Sequence, residues 1–238
     1  MQIPVEKKAN KGDRFNKNLN KLEQYNMRIY AVADIHGRQN RYSMIQEKVS
    51  SHHADILVVA GDITNYFRPY PVIERLNNFS IPVLAVRGNS DRAVVESLFN
   101  AFDNITSLNL KEISLNGVPF TGISGTIPVP FCTRIGLRER QIKNKILQLV
   151  TPDSVLVVHP PPWGVLDRVL NKFHAGSRSI KDIIIKKQPR LVLCGHIHED
   201  PGIAYINQTL VINCSIGKSG AGVLIELRDN EKPKVVFL

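Results

Sequence analysis

The chain has 238 residues, 43% hydrophobic and 22% charged, with 31 basic against 21 acidic side chains and a formal net charge of +10. This balance excludes a disordered or fibrous polymer, and the length leaves room for one large domain or two small ones with a substantial core. The basic excess suits anionic partners such as nucleic acid or a phosphorylated metabolite, although a lysine-rich exterior explains it more simply.

Residues 1–26 are polar and rich in lysine and asparagine, with seven basic residues against three acidic ones through Arg28. They read as an N-terminal extension, frayed or helical, more readily than as a phosphate-binding arm. From Met27 a single domain is expected to run to residue 238. Short β-branched runs end abruptly in glycine or polar residues: 28–33 before Asp34-Ile35-His36-Gly37, 56–60 before Gly61-Asp62, and 83–86 before Arg87-Gly88-Asn89. The same happens at 155–158 before His159 and at 191–193 before Cys194-Gly195-His196. Continuous apolar runs bounded this way predict buried strands. Between them, 38–49 carries Tyr42, Ile45 and Val49 at helical spacing, and 71–79, 92–102, 138–150 and 179–187 read similarly. Strand and helix in alternation predict an α/β fold with largely parallel strands. Residues 111–123 break the rhythm with the hairpin signal Asn116-Gly117. Residues 204–238 are strand-rich, with turns at Ile206-Asn207 and Asp229-Asn230, and predict a second, more antiparallel sheet packed on the first.

Three cysteines, Cys132, Cys194 and Cys214, show no C-x-x-C spacing, which fits neither a disulfide framework nor a cysteine zinc site. No apolar run approaches the roughly 18 residues of a membrane span, and residues 1–26 lack the apolar core of a signal peptide. The expectation is a reduced, cytoplasmic protein with no membrane partner.

In open α/β sheets, ligands gather beyond the carboxyl ends of the strands. Asp34, His36, Asp62, Asn89, His159, His196 and His198 all stand there. Each has an ordinary alternative: a strand-end aspartate caps the next helix, Arg87-Gly88-Asn89 makes a turn, and His159 before three prolines is a loop histidine. The pair Gly195-His196-Ile197-His198 is the least ordinary of them. All falling in register at successive strand ends is a poor coincidence. Two carboxylates, one amide oxygen and four imidazoles exceed what one small cation needs, and they suit Mn, Fe, Zn, Co or Ni alike.

In order, Asp34-Ile-His36, Gly61-Asp62, Gly88-Asn89, His159 and Gly195-His196-Ile-His198 resemble the signature of the calcineurin-like metallophosphoesterases. The stretches from His159 to Asp167 and from Cys194 to Glu199 further resemble the compact, phosphodiesterase-like branch of that superfamily. The resemblance implies two mixed β-sheets packed as a sandwich and flanked by helices. It also implies two divalent metal ions. One is held by Asp34, His36, Asp62 and His198, the other by Asp62, Asn89, His159 and His196, with Asp62 between them. The implied activity is phosphoester hydrolysis, most readily of a diester, by attack of a metal-bridging hydroxide. A small phosphoester, nucleotide-derived or otherwise, is then the expected substrate. A nuclease acting on single strands and a non-catalytic metal-binding scaffold are the alternatives.

Many members of this superfamily place a histidine after the Gly-Asn pair, where this chain has Ser90. A serine hydroxyl is no acid at neutral pH. His174 is then a candidate proton donor, weighed against a plain surface histidine. Asp91 reads as the cap of the helix near Arg92, or as support behind a ligand. Arg87 is a candidate for substrate phosphate and Trp163 for stacking on a base, each against a packing role. The basic residues Arg134, Arg138, Arg140, Lys143 and Lys145 read as the solvated face of a helix that buries Ile142, Ile146 and Leu149.

Overall fold

A computed structural model describes residues 26–125, 136–170, 172–218 and 220–238. The extension expected over 1–26 falls outside these residues except for Asn26, as do Cys132 and Arg134. The apolar runs form β1 (Asn26–Val32), β2 (Ile56–Ala60) and β3 (Val83–Val86), separated by α1 (Gln39–Ser51) and α2 (Pro69–Asn77). Next come α3 (Val94–Phe99), β4 (Ile105–Ser107), the hairpin strands β5 (Glu112–Leu115) and β6 (Val118–Ile123), then α4 (Gly136–Leu149) and β7 (Val155–Val158). A two-stranded excursion, β8 (Arg168–Val169) and β9 (Phe173–His174), leads into α5 (Arg178–Lys187) and β10 (Leu191–Cys194). The chain finishes with β11 (Gly202–Ile206), β12 (Thr209–Asn213), β13 (Val223–Arg228) and β14 (Lys234–Phe237).

Two six-stranded sheets result, in the orders β14-β13-β1-β2-β3-β4 and β11-β12-β10-β7-β6-β5. Each has a parallel centre, β1 to β4 in one and β12-β10-β7-β6 in the other, with antiparallel strands on one or both flanks. The mixed sandwich flanked by helices is the architecture expected. The distribution of strands differs from the simple reading of one parallel and one antiparallel sheet. Residues 204–238 are shared out, β13 and β14 extending the first sheet while β11 and β12 complete the second. Edge pairing decides this, and a strand's alternation says which face is buried but not which neighbour it joins.

Alternation builds the layers. Ile29, Val58, Leu84, Phe120, Val157, Leu193, Ile212 and Ile225 point between the sheets and form one core. Their neighbours Tyr30, Leu57 and Val59 face outward onto Ile45, Ile73, Leu76 and Phe99 of α1, α2 and α3. On the far side Leu156, Val158 and Val192 meet Ile146 of α4 and Ile180, Ile183 and Ile184 of α5. Ile142 and Leu149 of α4 pack there too, and Lys143 on the solvated side pairs with Asp182 at 2.7 Å. None of the described helices is long and apolar enough to cross a membrane.

The two sheets are stitched together where their central strands end. Ala33, just past β1, bridges Ser215, just past β12, and Ile216 N–H donates to Ala33 O at 3.0 Å. Within each sheet the strand ends are tied as well, Asp34 N–H to Gly61 O in the first and Gly195 N–H to His159 O in the second. The carboxyl ends of β1, β2, β3, β7 and β10 therefore open on one shared cleft.

Candidate metal centre

The strand-end residues leave regular geometry as soon as their strands stop. Asp34, His36, Asp62 and His196 all have positive φ, between 51° and 70°. Aspartate and histidine tolerate this region better than most residues, but it remains uncommon and characteristic of sites where the surrounding structure enforces it. Close approach enforces it here. A Cβ on Gly88 would run into the Asp62 carboxylate and backbone, so the loops after β2 and β3 can touch only because that residue is glycine.

These turns aim electron pairs at one another. His159 is wholly buried, and its Nδ1 lies 2.9 Å from Ala60 O, which fixes the proton on Nδ1. Its Nε2 then faces Asn89 Oδ1 at 2.9 Å and Asp62 Oδ1 at 3.4 Å. The other oxygen of Asp62 lies 3.8 Å from His36 Nε2. His36 Nε2 and His198 Nε2 face each other at 3.5 Å, and His198 Nε2 is 3.3 Å from Asp34 Oδ1. Two groups emerge whose ligand atoms converge tightly, Asp34 with His36 and His198, and Asp34 with Asp62 and His159. Converging electron pairs of this kind hold together only around positive charge, either ring protons or a cation. The donor set therefore fits a divalent metal. Asn89, exposed at the cleft, joins through His159. His196 sits beside the second group without converging on it. Its ring meets His159 edge-on at 5.0 Å, and its backbone N–H donates to the Asp34 carboxylate at 3.0 Å.

Electrostatics follow from the same contacts. Burial pushes the Asp34 carboxyl up, but the His198 hydrogen bond and the charge of His159 outweigh it and leave it below the usual carboxylate range. Burial opposes ionisation of Asp62 as well, and His159 and Ser90 override it more strongly. For His159, burial disfavours the imidazolium, yet Asp62 and Asp34 raise its pKa. The Asp34 hydrogen bond raises His198. Burial lowers His36 and His196, whose rings are held neutral and ready to donate electron pairs. Asp34 and Asp62 thus favour positive charge at His159 and His198, the same charge that a bound cation would supply.

Braces surround the cluster. Asp91 is buried and accepts from Ile63 N–H (3.1 Å), Thr64 N–H (2.7 Å), Thr64 Oγ1 (2.8 Å) and Gly88 N–H (2.9 Å). It ties the loop of Asp62 to the loop of Asn89 and does not cap α3, which has no side-chain cap. Asp34 likewise does not cap α1, whose flanking residue is Arg38. Ser90 donates twice to Asp62, through N–H at 2.7 Å and Oγ at 2.8 Å. Arg87 is engaged within the protein, Nε to Glu96 at 3.2 Å and one terminal nitrogen to Asp91 O at 3.1 Å.

Sequence patterns leave Arg41 unmarked. From α1 its buried guanidinium donates to Asp34 O (2.5 Å), Ile35 O (3.3 Å) and Gly217 O (2.5 Å), clamping the loops after β1 and β12 together. Its one signal is an arginine on a helix face otherwise marked by Tyr42, Ile45 and Val49. His174 and Trp163 belong to neither converging group and pack against each other, with ring centroids 5.5 Å apart. The Trp163 ring also carries the Arg178 guanidinium 4.7 Å above it.

A family model described as calcineurin-like phosphoesterase matches residues 27–200. The protein MJ1162 of Methanocaldococcus jannaschii is 34% identical over 198 residues, which cover 79% of this chain and 88% of that one. Phosphodiesterase YfcE of Escherichia coli is 32% identical over 83 residues, 31% of this chain and 45% of its own length. Among solved structures, TT1561 of Thermus thermophilus superposes with a TM-score of 0.65 at 15% identity, covering 90% of this chain and 99% of that one. That last likeness is one of fold.

Proposed function

The chain belongs to the calcineurin-like phosphoesterase family, and we propose that within this metal-dependent family it is a phosphodiesterase using two divalent ions. In this reading Asp34, His36, Asp62 and His198 hold one ion, and Asp62, Asn89, His159 and His196 hold the other. The observation that carries it is Asp62, one oxygen of which faces His36 while the other faces His159. Ions bound there supply Lewis acidity, acidifying a coordinated water and neutralising phosphoryl charge.

This chain's own residues set up that chemistry. Asp34 and Asp62 offset part of the cationic charge, and the neutral imidazoles complete the shells without overneutralising it. Ala60 O fixes the His159 tautomer so that Nε2 is the ligating nitrogen. Ser90 and Asp91 hold Asp62 and its loop at the required angle. Residues 27–238 act as one catalytic domain, since the strands after residue 200 complete both sheets. Preference for a diester is supported by the name of the phosphodiesterase relative, and a nucleotide-derived diester is one substrate within that proposal. Cytoplasmic residence accords with Cys194 and Cys214, both buried and unpaired.

The test is a substrate panel on metal-stripped protein with Mn, Fe, Zn, Co or Ni added back one at a time. Bis(p-nitrophenyl) phosphate turning over faster than p-nitrophenyl phosphate, and only with metal restored, is the expected result. Faster monoester turnover would overturn the diester assignment, and metal-independent turnover would overturn the mechanism.

A further inference from the structure

Hydrolysis of an unactivated phosphate ester produces an alkoxide that must receive a proton, and the Ser90 hydroxyl is committed to Asp62. A second polar cluster lies along the strap that follows His159. The strap is zipped to the segment entering α5, Ser177 N–H donating to Pro161 O at 2.7 Å and Trp163 N–H to Ser177 O at 3.0 Å. Trp163 stands four positions after His159, so their Cα atoms lie within about 14 Å. On this strap Asp167 is wholly buried. It accepts from Gly164 N–H at 2.9 Å, from Gly176 N–H at 3.0 Å and from His174 Nδ1 at 2.6 Å. A Cβ on Gly176 would come within 2.8 Å of the carboxylate, so this approach too depends on glycine.

His174 itself is 37% exposed. A carboxylate is costly to bury, and among the described residues its side-chain partner is an imidazole that reaches solvent. With Nδ1–H donated to Asp167, Nε2 is the ring atom left to exchange a proton with an incoming molecule. Trp163, lying under Arg178, packs against the ring and limits its rotation. The short β8–β9 pair, with Arg168 opposite His174, sets the register of the whole arrangement.

We propose that His174 is a catalytic acid for the leaving oxygen, that Asp167 is its positioning residue, and that the substrate is a phosphodiester whose leaving group is an unactivated alcohol such as a sugar hydroxyl. This rests on the phosphodiesterase reading. As the oxygen of water bonds to phosphorus, the bond to the leaving oxygen breaks and that oxygen takes the Nε2 proton of the imidazolium. The water loses a proton to solvent, and the ring, still holding Nδ1–H on Asp167, regains one from solvent.

Wild type, His174→Gln and Asp167→Asn are compared, with Mn restored, on bis(p-nitrophenyl) phosphate and on 2′,3′-cyclic, 3′,5′-cyclic and dinucleoside phosphates. A nitrophenolate departs without help and an alcohol does not. The expected result is that kcat falls at least tenfold further on the alcohol-leaving diesters than on the nitrophenyl ester. KM and calorimetric Mn affinity should stay within threefold of wild type. If Asp167→Asn does not fold, the split for His174→Gln, a substitution on an exposed side chain, decides. Equal losses on both ester types would reduce the pair to a structural role and overturn the proposal, as would wild type acting on the nitrophenyl ester alone. Wild type inactive on every diester would overturn the phosphodiesterase reading, and this inference with it.

Discussion

Replacing Asp91 with alanine removes the acceptor for three backbone N–H groups and the Thr64 hydroxyl, in a spot that is 4% exposed. Hydrogen bonds to a charged acceptor are worth about 1.5–3 kcal/mol each, but four sharing one carboxylate are coupled and do not add. A net loss of about 3–5 kcal/mol is expected, the range for breaking a buried charged network. For a chain of this size that lowers Tm by about 6–20 °C. The same carboxylate ties the Asp62 loop to the Gly88-Asn89 loop, so Mn affinity should fall about 10–100-fold, as for other supports of ligating residues. Thermal unfolding of the metal-free protein and Mn calorimetry measure the two effects separately. A helix cap, the competing role for Asp91, is worth about 1 kcal/mol and would leave the metal untouched. Destabilisation under about 1 kcal/mol with unchanged Mn affinity would therefore refute the brace.

Arg41→Met should lower stability by about 2–4 kcal/mol, because the carbonyls of Asp34, Ile35 and Gly217 lose a charged donor, and should weaken Mn binding at least tenfold by calorimetry. Gly88→Ala forces a methyl group into the Asp62 carboxylate, and the purified protein should carry less than a tenth of the wild-type metal by elemental analysis. Ser90→Ala removes one of two donors to Asp62 and should cost about 1 kcal/mol in urea unfolding, with Mn affinity reduced by less than tenfold. Affinity unchanged in Arg41→Met, or full metal content in Gly88→Ala, would show that the respective contact does not shape the cluster.

What the sequence reveals about this site and what it conceals have one physical origin. Asp34, Asp62, Asn89, His159 and His196 stand one to three residues past the ends of apolar runs, so a reader who finds the strands finds these residues. The braces have no such offset. Arg41 acts on Gly217, 176 positions away, and Asp91 acts on Ile63 and Thr64, 28 and 27 positions away, through backbone atoms that carry no residue signature and, at Thr64, through its hydroxyl as well. Asp91 beside a predicted helix start reads as a cap or as support behind a ligand, and only tertiary contact between two loops decides for the second. Asp167 is hidden in the same way, since two of its three donors are glycine amides. The sharing of β11 to β14 between the sheets escapes alternation for a parallel reason, as partner choice belongs to the edges.

Positive φ at Asp34, His36, Asp62 and His196 links the legible candidate ligands to their hidden braces. Local preference alone would relax those turns and let the side chains swing apart. Asp91 holds the loop just past Asp62, Arg41 holds the carbonyls of Asp34 and Ile35, and His36 N–H donates to Asp62 O at 2.9 Å. The candidate ligands are thus legible because chemistry restricts their type. The residues that keep them in an unfavourable backbone state are not, because any well-placed charge with the right reach would serve. The strain and its restraints form one mechanical unit, and the convergence of electron pairs in the cleft is its product.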